Sequence, residues 1–126
     1  MEALIDRYSL ALYDVVQSPM TKKTQPFLLL AEDDESISEV MKIILEDAGY
    51  RIGIAKNHEE IQEAINREVP RMIFLDVRLG GESGEEIASE LLANTRMAST
   101  SLIIVSADDQ IEKIASRVGA AGFLSK

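Results

Sequence analysis

Four places in this 126-residue sequence put a charged or hydroxyl group at the end of a short apolar run. They are Glu32-Asp33-Asp34-Glu35, Asp76, Ser106 and the final residue, Lys126. If the runs are strands of one open parallel sheet, these groups meet beyond the strands' carboxyl ends, where such sheets bind ligands. Carboxylates gathered in a partly buried cleft repel one another, and unless one is protonated the natural remedy is a divalent cation held by oxygen. The sequence has no cysteine and one histidine, His58, which excludes thiolate zinc sites, iron-sulfur clusters and any site built on several histidines. Mg²⁺ is the expected ion, bound directly by Asp33 and Asp76, through water by Glu32, and by the carbonyl of Arg78. A carboxylate beside such an ion can attack a phosphoryl group, with the Lys126 ammonium and the Ser106 hydroxyl completing the contacts. The product is an aspartyl phosphate on Asp76.

The elements that would position these groups follow from hydrophobic periodicity. Runs at 27–31, 51–55, 72–75, 102–106 and 122–124 are short and mostly rich in Ile, Leu, Val or Phe, as buried parallel strands are. Between the first two, Ile37, Val40, Met41, Ile44 and Leu45 repeat at helical spacing, and Gly49 supplies a stop. Asn57 and Glu60 have the spacing of a capping box, ahead of an apolar face of Ile61, Ala64, Ile65 and Val69 that Pro70 ends. A third helix spans about 84–93 with Ile87, Leu91 and Leu92 inward. A fourth is capped by Asp108 or Asp109, turns Ile111, Ile114, Ala115 and Val118 inward, and stops at Gly119. The expected class is α/β, a three-layer sandwich with helices on both faces of a five-stranded sheet.

Residues 1–26 stand outside this alternation. Leu4, Ile5, Tyr8, Ala11, Leu12, Val15 and Val16 form one stripe of a helix over about 2–17, and 18–26, with two prolines and two lysines, reads as a linker.

Composition bounds the rest. The length suits a single domain, and 46% apolar with 28% charged residues is ordinary for a globular one. A net charge of -9 disfavours direct contact with nucleic acid or an anionic membrane. No apolar run approaches the roughly 20 residues needed to cross a bilayer, and no basic-then-apolar leader opens the sequence. The expected location is therefore cytoplasmic.

The stretches Leu28-Leu29-Leu30-Ala31-Glu32-Asp33-Asp34, Phe74-Leu75-Asp76-Val77-Arg78-Leu79, Ile103-Ile104-Val105-Ser106-Ala107 and Gly119-Ala120-Ala121-Gly122-Phe123-Leu124-Ser125-Lys126 together resemble the receiver domain of two-component response regulators. The resemblance covers roughly residues 27–126. It implies a flavodoxin-like strand order of 2-1-3-4-5, Asp76 as phosphoacceptor, Glu32 and Asp33 as metal-side acids, Ser106 as switch hydroxyl, Phe123 as aromatic switch and Lys126 as phosphate contact. It further implies phosphate taken from a histidine kinase or histidine phosphotransfer protein, and a downstream protein partner reading the fourth helix and last strand. Such a module is not an enzyme in its own right; it promotes only its own phosphorylation and dephosphorylation.

Two departures qualify the resemblance. Gly80 replaces the proline usual in the family, which leaves the loop carrying the Arg78 carbonyl less fixed. The sequence also stops at Lys126, where the family continues into a fifth helix, while an amphipathic helix stands at 2–17. We read this as a circular permutation, the last helix having moved to the front and docking in its usual place, or on a neighbour to give a helix-swapped dimer instead of a monomer.

Plainer readings exist for each residue. Acids before a helix stabilise its N-terminus, Asp76 can be a turn residue, Ser106 can bond locally, Lys126 can fray, Phe123 can be an edge-strand core residue, and His58 can be solvated. Two further functions also remain open, a receiver-derived scaffold with weakened signalling and a small Mg²⁺-dependent phosphatase or phosphotransferase. Phosphatases of the haloacid dehalogenase type place a second acid two residues after the nucleophile, where this chain has Arg78.

Overall fold

A computed structural model describes residues 25–126. The expected helix over 2–17 and most of the linker lie outside the described residues.

Each apolar run becomes a strand: β1 (Phe27–Ala31), β2 (Arg51–Ala55), β3 (Met72–Asp76), β4 (Ser101–Ser106) and β5 (Gly122–Ser125). They form one parallel sheet in the order β2-β1-β3-β4-β5. The connections are α1 (Glu35–Asp47), α2 (His58–Arg67), α3 (Gly84–Ala93) and α4 (Ile111–Val118). This is the flavodoxin-like α/β arrangement expected. Alternate strand residues serve opposite faces, as a period of two requires. Leu29, Ala31, Ile73, Leu75 and Ile104 pack with α2, α3 and α4, whereas Leu28, Leu30, Phe74, Val105 and Leu124 belong with Met41 and Leu45 of α1. Among the described residues, one face therefore carries three helices and the other carries one.

The helix ends differ from expectation in three places. α2 stops at Arg67, and Glu68 is already extended at φ −157°, because the residue before Pro70 is pushed out of the helical region and the chain straightens early. Val69 is accordingly exposed, outside the helix face assigned to it. Leu92, expected inward, is also exposed; Ile87, Ala88 and Leu91 complete the buried stripe of α3 without it. Neither Asp108 nor Asp109 caps α4. Asp108 accepts from the Gln110 amide at 2.8 Å in a local turn, and the helix begins after Gln110 without a side-chain cap. Its stop at Gly119, with φ 81°, is as expected.

Between β3 and α3 lies a two-residue-per-strand hairpin, Arg78–Leu79 against Glu82–Ser83. Its turn is Gly80-Gly81, with φ of 56° and 82°. Two consecutive positive φ angles are the requirement of a type I′ turn, which glycine meets without strain. Gly80, expected to leave this loop less fixed, thus closes a hairpin together with Gly81.

Candidate functional site

The four acids after β1 separate into different tasks. The Asp34 side chain accepts from the Ser36 and Ile37 amides at 2.9 and 3.2 Å and caps α1. Glu35 pairs with Lys56 at 2.8 Å in solvent, which lowers the Glu35 carboxyl pKa. The plain helix-terminus reading therefore describes these two. Glu32 instead turns inward and is only 5% exposed, its amide held by the Ala55 carbonyl at 3.0 Å. Asp33 reaches across to the hairpin, where Oδ2 accepts from the Gly80 amide at 3.2 Å.

Asp76 ends β3 at 6% exposure. Its Oδ1 accepts from the Arg78 amide at 2.9 Å and its Oδ2 from Lys126 Nζ at 2.5 Å. Lys126 also reaches Glu32 Oε1 at 3.2 Å. Behind Asp76 the backbone is crowded. A Cβ added to Gly84 would come within 2.5 Å of the Asp76 carbonyl oxygen and 2.6 Å of Val77, so the first turn of α3 can approach β3 only through a glycine.

Glu32, Asp33 and Asp76 each offer a carboxylate oxygen, and these atoms lie within 4.8 Å of one another. Burial, reinforced by the hydrogen bond and charge of Asp76 and opposed by Lys126, raises the Glu32 carboxyl from 4.5 to about 7. A carboxyl held up in this way marks a place short of positive charge. The Lys126 ammonium supplies part of that charge. Its own pKa stands above the ordinary value because, although burial lowers it, its bonds and attraction to Asp76 and Glu32 outweigh that loss. Three converging carboxylates and no sulfur or nitrogen donor suit a hard divalent ion, so the residues present fit Mg²⁺.

The expected site residues around Asp76 also come together. Asp76, Arg78, Ser106, Ala107, Asp108 and Lys126 line a cleft of about 300 Å³. Ser106 is 7% exposed, and its Oγ accepts from the Asp108 amide at 3.0 Å. That bond uses a lone pair and leaves the hydroxyl proton free to donate. A profile described as the response regulator receiver domain matches residues 28–126.

The chain belongs to the response regulator receiver family.

Among relatives of this receiver domain, the alginate biosynthesis transcriptional regulatory protein AlgB of Pseudomonas aeruginosa is 27% identical over 84% of the chain and 24% of its own length. The transcriptional regulatory protein CrdR of Helicobacter pylori is 32% identical over 81% of the chain and 48% of its own. The chain thus spans about a quarter and about half of these two proteins. The chemotaxis response regulator CheY4 of Vibrio cholerae superposes with a TM-score of 0.74 at 25% identity, covering 82% of this chain and 88% of that one. The receiver domain is that of a two-component response regulator, and among the described residues no helix is long and apolar enough to cross a membrane.

Of the residues expected at the site of this receiver domain, Phe123 does not line the cleft. Phe123 on β5 is 43% exposed, so it is not the edge-strand core residue of the plainer reading. His58 is not simply solvated: its ring pairs with Glu90 of α3 at 2.8 Å. Sequence reasoning missed the hairpin and the partner of the His58 amide, Glu82 Oε1 at 2.9 Å. The available signal for the hairpin was Gly80-Gly81 itself, since paired glycines flanked by extended residues mark a two-residue turn.

Proposed function

We propose that this receiver domain accepts a phosphoryl group on Asp76 and relays the event through a change of surface. The observation that carries this is the convergence of Glu32 and Asp33 on Asp76, with Lys126 already seated on the Asp76 carboxylate. An Asp76 oxygen attacks phosphorus, the bond from phosphorus to the donor's nitrogen or oxygen breaks, and the donor group leaves with that electron pair. When bound, Mg²⁺ supplies positive charge against the phosphoryl oxygens; Asp33, Asp76, Glu32 and the Arg78 carbonyl would hold it. Lys126 moves its donated hydrogen bond from Asp76 to a phosphoryl oxygen, which keeps the ammonium in the cleft while freeing the nucleophile. The Arg78 amide holds the carboxylate in orientation. At about 30 Å³ per water, a 300 Å³ cleft has space for the group and the water that later hydrolyses it.

Ser106 connects the event to the surface. Its hydroxyl turns toward the phosphoryl group, drawing Ala107 and Asp108 with it, and Phe123 moves inward to fill the vacated space. Phe123 lies opposite Ile104 on the neighbouring strand, so a shift of β4 reaches it directly. The partners of this reading are a histidine kinase or histidine phosphotransfer protein as donor and a protein that reads α4 and β5, in the cytoplasm. The domain promotes its own phosphorylation and dephosphorylation and turns over no other substrate.

The permuted connectivity belongs to the same proposal. Segment 2–17, which lies outside the described residues, takes the part of the family's last helix in this reading. Treatment with acetyl phosphate and Mg²⁺ tests the function: reversible labelling of Asp76 supports it, whereas turnover of small phosphoesters would place the domain among phosphatases.

A further inference from the structure

We propose that Glu82 is a positioning residue for the phosphoacceptor site, fastening the hairpin to the first turn of α2 and so holding the Gly80 amide on Asp33. The functional consequence rests on the phosphoacceptor reading; the geometry does not.

Segment 77–82 is anchored by side-chain bonds at three points, and Ser83 beyond it caps α3 through the Glu86 amide. Arg78 donates its amide to Asp76 at 2.9 Å, Gly80 donates to Asp33 at 3.2 Å, and on the outer side Glu82 Oε1 accepts from the His58 amide at 2.9 Å. The first two bonds join the hairpin to the acids themselves. The third joins it to a helix that contributes no acid. His58 is the first residue of α2, where amides lack partners within the helix, and Asn57 already serves the Glu60 amide at 2.9 Å. A carboxylate is the favoured group for the remaining donor because it also meets the positive end of the helix dipole.

Leu79 roots the hairpin in the core at 0% exposure, but the turn beyond it has few backbone bonds of its own. The hairpin pairs only Arg78 with Ser83 and Leu79 with Glu82, fewer residues than an isolated hairpin needs. A Cβ on Gly80 would come 3.2 Å from the Lys56 carbonyl, so the turn lies directly against the loop that leads into α2. Asp33, by contrast, is exposed, and its orientation depends on the Gly80 amide. Freeing Glu82 therefore loosens the turn, and Asp33 spends less time aimed at Asp76.

The test compares four full-length variants by Mg²⁺ titration calorimetry, the rate of Asp76 labelling with acetyl phosphate, and hydrogen exchange of the Gly80 amide. Glu82→Ala should weaken Mg²⁺ binding, slow labelling and lower Gly80 protection, each about five-fold, the scale of one exposed hydrogen bond. Glu82→Gln keeps an acceptor oxygen and should restore most of each. His58→Pro removes the donor without harming the helix, since proline is accepted at the first helical position and Asn57 is already extended at φ −155°, ψ 174°. It should match Glu82→Ala, while His58→Ala, which loses the ring but keeps the amide, should match the wild type. Unchanged Gly80 protection in Glu82→Ala, or identical behaviour of His58→Pro and His58→Ala, would overturn the tether. Absence of labelling in the wild type would instead defeat the phosphoacceptor reading, with hydrogen exchange still deciding the tether.

Discussion

The Lys126 ammonium bonds the Asp76 carboxylate at 2.5 Å, linking the last residue of the sequence to the end of the central strand β3. Its second contact, to Glu32 at 3.2 Å, makes it the shared counter-charge of two nearly buried acids. Removing it by Lys126→Met leaves both without a cation, and destabilisation of about 2 kcal/mol is expected, below the full cost of breaking a wholly buried pair because the lysine side chain keeps some exposure. Mg²⁺ should restore more stability to the variant than to the wild type, since the ion then replaces a missing charge. Urea unfolding with and without Mg²⁺ measures both; equal stabilities would show that Lys126 does not serve as counter-charge.

Glu32 makes stability depend on pH. Its carboxyl is raised by burial and by Asp76 from 4.5 to about 7, so between those values the folded protein keeps a proton that the unfolded chain has released. The contribution of this group is complete below pH 4.5, falls as pH rises toward 7, and is gone above it. In chelator, urea midpoints should show this decline in the wild type and lose it in Glu32→Gln. A slope untouched by the substitution would assign the titration elsewhere.

Gly84 is the position where the scaffold and the site compete for space. Alanine is the better helix former by about 1 kcal/mol, yet its Cβ would sit 2.5 Å from the Asp76 carbonyl oxygen. Backbone cannot yield as a flexible side chain can, so overpacking should dominate and Gly84→Ala should destabilise by about 2 kcal/mol or more. It should also slow labelling of Asp76 by displacing the end of β3. An equally or more stable variant would mean that α3 can slide away freely.

Docking of segment 2–17 is tested by Leu12→Asp, which puts a charge in the middle of its apolar stripe. If the segment takes the part of the family's last helix, the full-length variant should lose about 2 kcal/mol or more and bind a hydrophobic dye. The same change at a solvated helix would be nearly silent. Analytical ultracentrifugation distinguishes docking within one molecule from exchange between two.

The sheet was legible because buried parallel strands are nearly continuous apolar runs, as in Leu28-Leu29-Leu30 and Ile103-Ile104-Val105. Periodicity carries no strand order, and 2-1-3-4-5 came only from resemblance to a family. Helix interiors were read better than their ends, as Val69 and Asp108 illustrate: steric exclusion by a neighbouring proline decides the first and a single hydrogen bond in a local turn the second. The site acids were visible through their placement after strands. Their division of labour was not, since adjacent residues Glu32, Asp33, Asp34 and Glu35 differ only in direction, which the start of α1 and the hairpin impose. Glu82 and His58 were invisible as a pair because 24 residues of chain separate them.

The most direct test of the central claim is mass spectrometry of the full chain after exposure to acetyl phosphate, with Mg²⁺ or with chelator, beside an Asp76→Asn control. Convergence of the acids on Asp76 predicts one added phosphoryl group, mapped to Asp76, dependent on Mg²⁺ and absent from the control. Labelling that persists in Asp76→Asn, or a wild type that stays unmodified with donor and Mg²⁺ in excess, would contradict it.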